Sequence, residues 1–388
     1  MLRISLALLA LTLLPAAGET GAVAALNRPV LKALPLDAQD PAAIQPVTAT
    51  GTSSKLPAVT PLETVTPPSP LDKKPSGDDA VRLQIFLDEA CFGPGVIDGK
   101  PGRFTELAAA SWNEVHGYPV HDWTAVNTAA RAAIKHPLAV AFVPDFVTDW
   151  VNPDLPSKKE LQAKLKRMSY RSITEFMAER YHCTQDYLVM LNGSRKMDNL
   201  KPRDPVIVPN VKPFLIEKID GAKHPPDPKL SRRLVVVDTK MNQVRIFEGA
   251  PMALVVAEPG ATTIQPVTRA NRGLVASFPI TPGQPKFIKY GTWELRGMVE
   301  WPWWRYDQSL LDTGKRSSDS ETLNIPPGPN SPVGVIWNGT SKPGIGLHGT
   351  SDPETIGRAR SHGCIRLANW DAIRLPNLIR PGAMVEIR

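Results

Sequence analysis

The pattern of apolar and polar positions changes its period along the chain. Near the start of the globular part, apolar and small side chains recur every three or four positions, as on one face of an α-helix. Leu83 and Leu87 belong to one predicted helix, and a second runs from Phe104 to Val115. Glycines and prolines in GPGVIDGKPG, residues 93–102, predict tight turns between these two helices.

Residues 170–210 predict two further helices and then a strand. The positions that carry this pattern are Ile173, Phe176, Met177, Leu188 and Leu191, followed by the β-branched run Val206, Ile207 and Val208.

From Leu230 onward, short β-branched runs separated by Gly, Pro and Asn predict an antiparallel β domain. The runs are RLVVVD, QVRIFE, MALVVAE, VGVIWN, GIGLH and AMVEI. The stretch DTKMN, residues 238–242, has the length of a hairpin loop between the first two runs. No fixed-period repeat is visible, which argues against a solenoid.

The N-terminal segment 1–24 has the order of a secretory signal: a basic start, the apolar run Ile4–Leu14, then small residues. The run is too short to cross a bilayer, which needs about 20 residues, so we expect no stable membrane anchor. Residues 25–77 are rich in proline without any sustained period, which predicts a disordered linker. The mature protein is therefore predicted to act outside the cytoplasm, in the periplasm or cell wall.

A formal net charge of +7 is compatible with an acidic extracellular polymer and equally with an ordinary solvated surface. No basic stripe interleaved with aromatic residues is visible, and export argues against a nucleic-acid partner.

Cys364 lies in SHGCIRL, residues 361–367, and is one of three cysteines. His348 ends an apolar alternation and is expected at the end of a strand. Residues 351–354 have a capping-box pattern with proline at the first helical position, which predicts a short helix. A strand, short helix and strand in this order can bring His348 beside Cys364.

A cysteine attacks as its thiolate, so a nucleophilic Cys364 needs an imidazole to take its proton, and His348 is the candidate. Gly363 permits a backbone bend that turns amide N–H groups toward an oxyanion. His362 is a candidate for fixing the site by hydrogen bonding. By period-2 counting, Arg366 shares a face with Cys364, where it could bind a carboxylate or form a structural salt bridge.

Three other readings of the cysteines stay open. Cys364 could be a buried thiol, which is the commonest state of a lone cysteine. A disulfide that spares Cys364 would join Cys91 to Cys183, which lie in different segments. Zinc bound by His348, His362 and Cys364 would lack a fourth protein ligand, so no metal or cofactor is expected.

The string LHGT…SHGCIRL resembles the L,D-transpeptidase (YkuD-like) catalytic domain, and the resemblance extends through PPGPNSPVG and Ile356-Gly357-Arg358. It covers about residues 230–388. It implies that Cys364 attacks a peptidoglycan stem peptide to give a thioester, with His348 as general base. Backbone N–H groups around His362 to Cys364 would hold the oxyanion.

The resemblance also implies the product. An amine of a second stem peptide resolves the thioester to give a 3,3 cross-link. Water would make the enzyme an L,D-carboxypeptidase, and a protein amine would attach that protein to peptidoglycan. An inactive wall-binding protein is a further alternative. The expected substrate-binding residues are Arg366, Gly349, Ser361 and Trp303.

Two upstream segments resemble wall-binding modules. Residues 78–150 resemble the helical peptidoglycan-binding domain through Leu83-Gln84, Gly95 to Gly99, Gly102 and Thr105, with Trp112-Asn113 in place of its usual Phe-Gln. A spacer without a ligand is the alternative. Residues 165–212 resemble a LysM module through Ala178 to Tyr181, Leu191-Asn192 and Val206 to Pro209, without the usual Gly-Asp-Thr.

The aromatic run WPWWRYD, residues 301–307, either lines a substrate cleft, with Trp303 as its contact, or fills a core. The sequence as a whole predicts a multidomain enzyme: a small α-helical domain, a small α+β LysM-like module and a mainly-β catalytic domain. Its expected partners are peptidoglycan stem peptides and glycan, and no oligomeric state follows from the pattern.

Overall fold

The structure is a computed structural model that describes residues 60–63, 66–249, 273–285, 287–313, 317–318, 322–358 and 363–388. The predicted signal segment 1–24, most of the predicted linker 25–77 and the predicted strand 252–258 lie outside the described residues. None of the described helices has the length and apolar character needed to cross a membrane.

The end of the predicted linker packs on the helical segment. Strand β1 (Thr60–Pro61) pairs antiparallel with β2 (Leu138–Phe142). The Asn127 amide donates hydrogen bonds to the carbonyl oxygens of Leu71, at 2.8 Å, and Lys73, at 2.9 Å. This part of the predicted linker therefore contacts the helical segment.

The first helical segment contains both predicted helices and a third one. Its helices are α1 (Gly77–Glu89), α2 (Arg103–His116) and α3 (Trp123–Ala133). The Gln84 side-chain oxygen accepts hydrogen bonds from the backbone N–H groups of Asp98, at 3.1 Å, and Gly99, at 2.9 Å. Gly99 has φ +70°, a conformation that favours glycine. Gln84 therefore fixes the turn between α1 and α2.

The second segment has the predicted order of helix, helix and strand. Its elements are α4 (Lys159–Gln162), α5 (Ile173–Arg180), α6 (Gln185–Asn192), α7 (Ser194–Met197) and β3 (Pro205–Pro209). Ser172 and Thr184 cap α5 and α6 through their side-chain oxygens. Strand β3 pairs antiparallel with β2, so the sheet β1-β2-β3 joins the two predicted upstream segments.

The C-terminal segment is mainly β. Its elements are β4 (Leu234–Asp238), β5 (Gln243–Phe247), β6 (Leu274–Pro279), β7 (Gly291–Glu300), β8 (Trp304–Tyr306), α8 (Gln308–Thr313), β9 (Leu323–Ile325), β10 (Ile336–Thr340), β11 (Gly346–His348), β12 (Ile365–Arg366), α9 (Asn369–Ala372) and β13 (Met384–Ile387). Within the described ranges, one sheet has the order β12-β11-β10-β7-β13-β4-β5-β6, and β8 pairs with β9 separately.

The sheet is mixed, which corrects the predicted antiparallel arrangement. Strand β13 runs parallel to β4, and β12 runs parallel to β11. The DTKMN hairpin prediction is confirmed, because Asp238 and Gln243 are register partners across β4 and β5. A hydrophobic run carries no information on the direction of the strand beside it, and only the connections decide that direction.

The predicted short helix between β11 and β12 is one 3₁₀ turn, Pro353–Thr355. Its N-cap residue is Asp352, without a side-chain cap. The Glu354 carboxylate accepts a hydrogen bond from the backbone N–H of Gln185, at 3.3 Å. The capping-box prediction is therefore wrong in detail, because Glu354 is used for a contact with α6.

Both faces of the large sheet are covered by apolar side chains. Val236 packs with Leu83 and Trp112 of the first helical segment. Its neighbour Val235 belongs to a larger cluster that also contains Phe176 of α5. Successive side chains of a strand point to opposite faces, so the two clusters lie on opposite sides of the sheet. Helix α1 contributes to both clusters, through Leu83 to one and Val81 to the other.

Candidate active site

His348 is the last residue of β11, as the sequence predicted, and it is 3% exposed. Its register partner in β10 is Trp337. The indole of Trp337 stacks on the imidazole with ring centroids 5.3 Å apart and an interplanar angle of 18°. The strand pairing therefore holds the imidazole against an aromatic surface.

The tautomer of His348 follows from one hydrogen bond. Its Nδ1 lies 2.6 Å from the carbonyl oxygen of Gly349. A carbonyl oxygen only accepts hydrogen bonds, so Nδ1 carries the proton and Nε2 keeps its lone pair. Burial lowers the pKa of His348 to about 4, opposed by the Gly349 hydrogen bond and assisted by the charge of Arg366. The imidazole is thus an uncharged base at neutral pH.

Cys364 comes directly before β12, on the chain that runs parallel to β11. Leu347 is paired with Ile365, and His348 with Arg366. The Cys364 thiol donates a hydrogen bond to the Gly344 carbonyl oxygen, with Sγ and O 3.3 Å apart. The parallel pairing brings the nucleophile candidate beside the strand that ends in His348.

Burial raises the pKa of the Cys364 thiol to about 11, although a hydrogen bond from the Gly346 backbone and the charge of Arg366 lower it. At neutral pH the thiol therefore keeps its proton, while the imidazole of His348 is unprotonated. Such a pair reacts only when the thiol proton moves to a base during attack.

Arg366 is held by its backbone at the edge of the sheet. Its N–H donates to the Thr281 carbonyl, at 3.0 Å, and its own carbonyl accepts from the Thr281 N–H, at 2.9 Å. Burial lowers the pKa of the guanidinium. Among the described residues no carboxylate forms an ion pair with Arg366, so the structural salt bridge considered from the sequence is not found there.

Gly363 lies against a segment that the sequence did not mark. A Cβ atom built on Gly283 would lie 2.4 Å from the Gly363 Cα. No side chain fits in that space, since the contact is between two backbones. The backbone of residues 281–285 therefore packs directly against Gly363, the residue before Cys364.

Comparison with known proteins shows what the C-terminal segment is similar to. Residues 262–387 match the YkuD family model, described as an L,D-transpeptidase catalytic domain. This range contains His348, Gly363 and Cys364 in the order required by the motif. This segment of the chain is therefore similar to the L,D-transpeptidase catalytic domain.

Proteins of Bacillus licheniformis and Bacillus subtilis, both named as L,D-transpeptidase YkuD, are each 42% identical to this domain over 65 residues, 17% of this chain. The chain spans 39% and 40% of their lengths. The crystal structure of L,D-transpeptidase 3 from Mycobacterium tuberculosis has 17% identity over 40% of this chain and 61% of its own, with a TM-score of 0.26.

The other predicted site residues of the C-terminal segment are distributed as follows. Gly349 is adjacent to His348 and supplies the carbonyl that fixes its tautomer. Ser361 and His362 lie outside the described residues. Trp303 is 61% exposed between β7 and β8, and among the described residues no hydrogen bond or ring contact joins it to His348.

The aromatic run around Trp303 serves packing in part. Trp301 stacks on Trp150, with ring centroids 5.8 Å apart, and Trp304 meets Tyr306 edge to face. The core-filling alternative thus describes several members of the run, and Trp303 is its exposed member.

Cys91 and Cys183 are both free thiols, so no disulfide joins them. Among the described residues, no group of three His, Cys, Asp or Glu side chains is arranged to hold a metal ion. His362, which belonged to the zinc alternative, is outside that set.

Three residues of the C-terminal segment that shape the site were missed from the sequence. Trp337 covers the imidazole, Thr281 holds the strand after Cys364, and Asn369 packs against Gly349. Trp337 belongs to the predicted strand VGVIWN. The residue that lies opposite it on the next strand depends on the strand register, which the sequence does not show. Thr281 and Asn369 carry no local signal, because their partners are distant in sequence.

Proposed function

We propose that this chain is an exported peptidoglycan L,D-transpeptidase that forms 3,3 cross-links between stem peptides. The observation that carries the proposal is the uncharged pair of Cys364 and His348 beside two parallel strands of an L,D-transpeptidase domain. A neutral thiol with a neutral base suits acyl transfer, since the proton is needed later by the leaving amine.

In the acylation step, the Cys364 sulfur attacks the carbonyl carbon of the third stem-peptide residue. The thiol proton passes to Nε2 of His348, and backbone N–H groups near Gly363 stabilise the oxyanion. The bond to the terminal D-alanine breaks, and its nitrogen takes the proton from His348. The products are a thioester on Cys364 and free D-alanine.

In the second step, the side-chain amine of another stem peptide attacks the thioester. Nε2 of His348 accepts a proton from this amine and returns it to the departing Cys364 sulfur. A new amide bond forms, and the enzyme regains its thiol and neutral imidazole.

The remaining residues are proposed to bind substrate. Arg366 has a charged guanidinium without an ion-pair partner among the described residues, which suits a stem-peptide carboxylate. Gly349 is adjacent to His348 in the sequence, Ser361 is proposed to contact substrate, and His362 is proposed to fix the site by hydrogen bonding. Trp303 offers an exposed aromatic surface to glycan.

The upstream segments are proposed to hold the enzyme on the wall. Helices α5 and α6 followed by β3, all within residues 165–212, support a LysM-like module, and β3 pairs with β2 of the preceding segment. The turn at Asp98 and Gly99, which is held by hydrogen bonds to the Gln84 side chain, supports a peptidoglycan-binding-like helical domain. With the signal-like segment 1–24, these features support a protein that acts in the periplasm or cell wall.

Product analysis tests the reaction. Purified protein incubated with disaccharide tetrapeptides is expected to give cross-linked dimers that lack one D-alanine. Tripeptide monomers alone would identify an L,D-carboxypeptidase, and a protein amine required as acceptor would identify an attachment enzyme. An unchanged substrate would support an inactive wall-binding protein.

Intact-protein mass spectrometry tests the residues. Exposure to a carbapenem is expected to add one drug mass to the wild type and none to Cys364→Ala. His348→Ala should abolish acylation more completely than His362→Ala, because His348 is the proposed proton carrier. The reverse order would overturn that assignment.

A further inference from the structure

A buried amide lies between the LysM-like segment and the turn that follows His348. Asn369, the first residue of α9, is 0% exposed. Its Nδ2 donates to Oε1 of Glu179 at 2.8 Å and to the Pro329 carbonyl at 3.3 Å. Its Oδ1 accepts from the Val335 N–H at 3.2 Å. The amide thus has partners on both sides.

The side-chain amide of Asn369 also packs directly against the backbone of Gly349. A Cβ atom built on Gly349 would lie 1.9 Å from Asn369 Oδ1, and one built on Gly334 would lie 2.1 Å from it. The carbonyl of Gly349 accepts the Nδ1–H of His348. Displacing the amide therefore removes the support of the group that fixes the imidazole tautomer.

Glu179 orients the amide from α5, outside the L,D-transpeptidase domain. Glu179 is 6% exposed, and its other carboxyl oxygen accepts a hydrogen bond from the Tyr170 hydroxyl. Burial raises its pKa to about 8, while the hydrogen bonds from Tyr170 and Asn369 lower it and the charge of Glu175 raises it. A buried acceptor of this kind keeps Asn369 in one rotamer, because the reversed amide would face it with oxygen.

The LysM-like segment also holds the PPGPNSPVG loop, which begins the chain toward β10. The Met168 N–H donates to the Pro327 carbonyl at 2.9 Å. The Asn330 amide donates to the Ser169 carbonyl at 2.9 Å and to Glu175 at 3.0 Å. This loop ends at Gly334, so the segment supports both sides of the Asn369 amide.

We propose that Glu179 and Asn369 are positioning residues for the His348 imidazole, acting through the Gly349 carbonyl. The inference rests on the proposed function for the role of His348 as proton carrier, but its structural part does not depend on the reaction. It makes the LysM-like segment a component of the active site's support. A purely structural contact would instead affect stability and leave the tautomer unchanged.

The tautomer is measured by nuclear magnetic resonance of the full chain labelled with ¹⁵N-histidine. The His348 signals are identified by their loss in His348→Gln. We expect the Nδ1-protonated form in the wild type, and a mixture of tautomers in Glu179→Leu and Asn369→Ala. Asn369→Asp keeps the side-chain size but places an acceptor against Glu179, and the same mixture is expected.

Two further variants separate positioning from general damage. Glu179→Gln keeps an acceptor oxygen for Asn369 and should retain the wild-type signature. Glu217→Leu removes the 2.9 Å ion pair between Glu217 and Arg180. Arg180 lies on α5 beside Glu179, but this ion pair does not involve Asn369. Glu217→Leu should also retain the signature. A preserved Nδ1–H signature in Glu179→Leu, Asn369→Ala and Asn369→Asp would overturn the proposal.

Carbapenem acylation supplies the kinetic readout. Misplacement of a catalytic group by about 1 Å lowers rates by roughly 100-fold, so a loss of about 10- to 100-fold is expected in Glu179→Leu and Asn369→Ala. Glu179→Gln should recover most of the rate. A wild type that is not acylated would contradict the proposed function, while the tautomer result would still decide the positioning role.

Discussion

At the scale of single residues, burial decides the acid–base state of the site. His348 is covered by Trp337 and has a pKa of about 4, with its Nδ1–H committed to Gly349. Desolvation disfavours the charged imidazole, and the nearby charge of Arg366 acts in the same direction. The base form is therefore present throughout the neutral range.

The pH dependence of Cys364 acylation should report this shifted imidazole. Protonation removes the base, so the rate is expected to be constant near neutrality and to fall as the pH drops through about 4. The measurement is the carbapenem acylation rate between pH 3 and 8, followed by mass. A fall centred near about 6.5, the ordinary value for histidine, would contradict the burial argument.

The same pH series measured on Trp337→Leu tests whether the indole causes the pKa shift of His348. The substitution exposes part of the imidazole to water, so the acid limb should move upward toward the ordinary histidine value. Trp293→Leu, on the neighbouring strand β7, is the control, because Trp293 is not the register partner of His348. An unchanged limb in Trp337→Leu would show that the indole does not cause the shift.

At the scale of elements, the strand after Cys364 is very short and depends on its neighbours. Strand β12 contains two residues, Ile365 and Arg366. Thr281 pairs with it on one side and β11 on the other. The contact between Gly283 and Gly363 continues this support to the residue before the thiol.

Gly283→Ala is expected to reduce acylation strongly. Its Cβ would lie 2.4 Å from the Gly363 Cα, so the backbone before Cys364 must shift. Such a shift should lower the rate by about 100-fold. Gly297→Ala, on β7, is the control, because its Cβ would meet no atom within 4 Å. Equal acylation rates in the two variants would contradict this role of Gly283.

Local patterns predicted those elements whose signals are local. The hairpin at residues 238–242 and helices α1, α2, α5 and α6 follow from turn residues and helical spacing. The parallel pairings β11–β12 and β13–β4 do not, because the direction of a pairing depends on the intervening chain. Strand β7 was missed since alternation with charged residues and glycine weakens its apolar signal.

At the scale of the whole molecule, a buried ionic junction joins all three segments. Asp88 of α1 is 0% exposed and bonds Arg374 at 2.7 Å and His182 at 3.1 Å. The His182 ring stacks on Trp370 at 5.1 Å. Burial alone would raise the pKa of Asp88, but the charge of Arg374 and the contact with His182 outweigh it, and the pKa is lowered.

Arg374→Met should destabilise the protein by about 3–5 kcal/mol, because it leaves the Asp88 charge buried without its partner. Urea unfolding followed by tryptophan fluorescence measures the change, and the transition should remain single because the segments share their core. Arg203→Met, which removes the exposed pair with Asp145, should leave the midpoint unchanged. An unchanged midpoint in Arg374→Met would contradict the junction's role.

The sequence by itself predicted the reacting residues and indicated the domain family, because Cys364, His348 and the glycine between the histidine and cysteine of SHGC lie in short motifs. It also determined the helices and hairpin whose signals are local. The tertiary structure alone decided the tautomer and pKa of His348 and the backbone contact between Gly283 and Gly363. It also decided the contacts that connect Glu179 to Gly349 through Asn369. These properties arise from burial and from contacts between residues far apart in the chain, which no local pattern records.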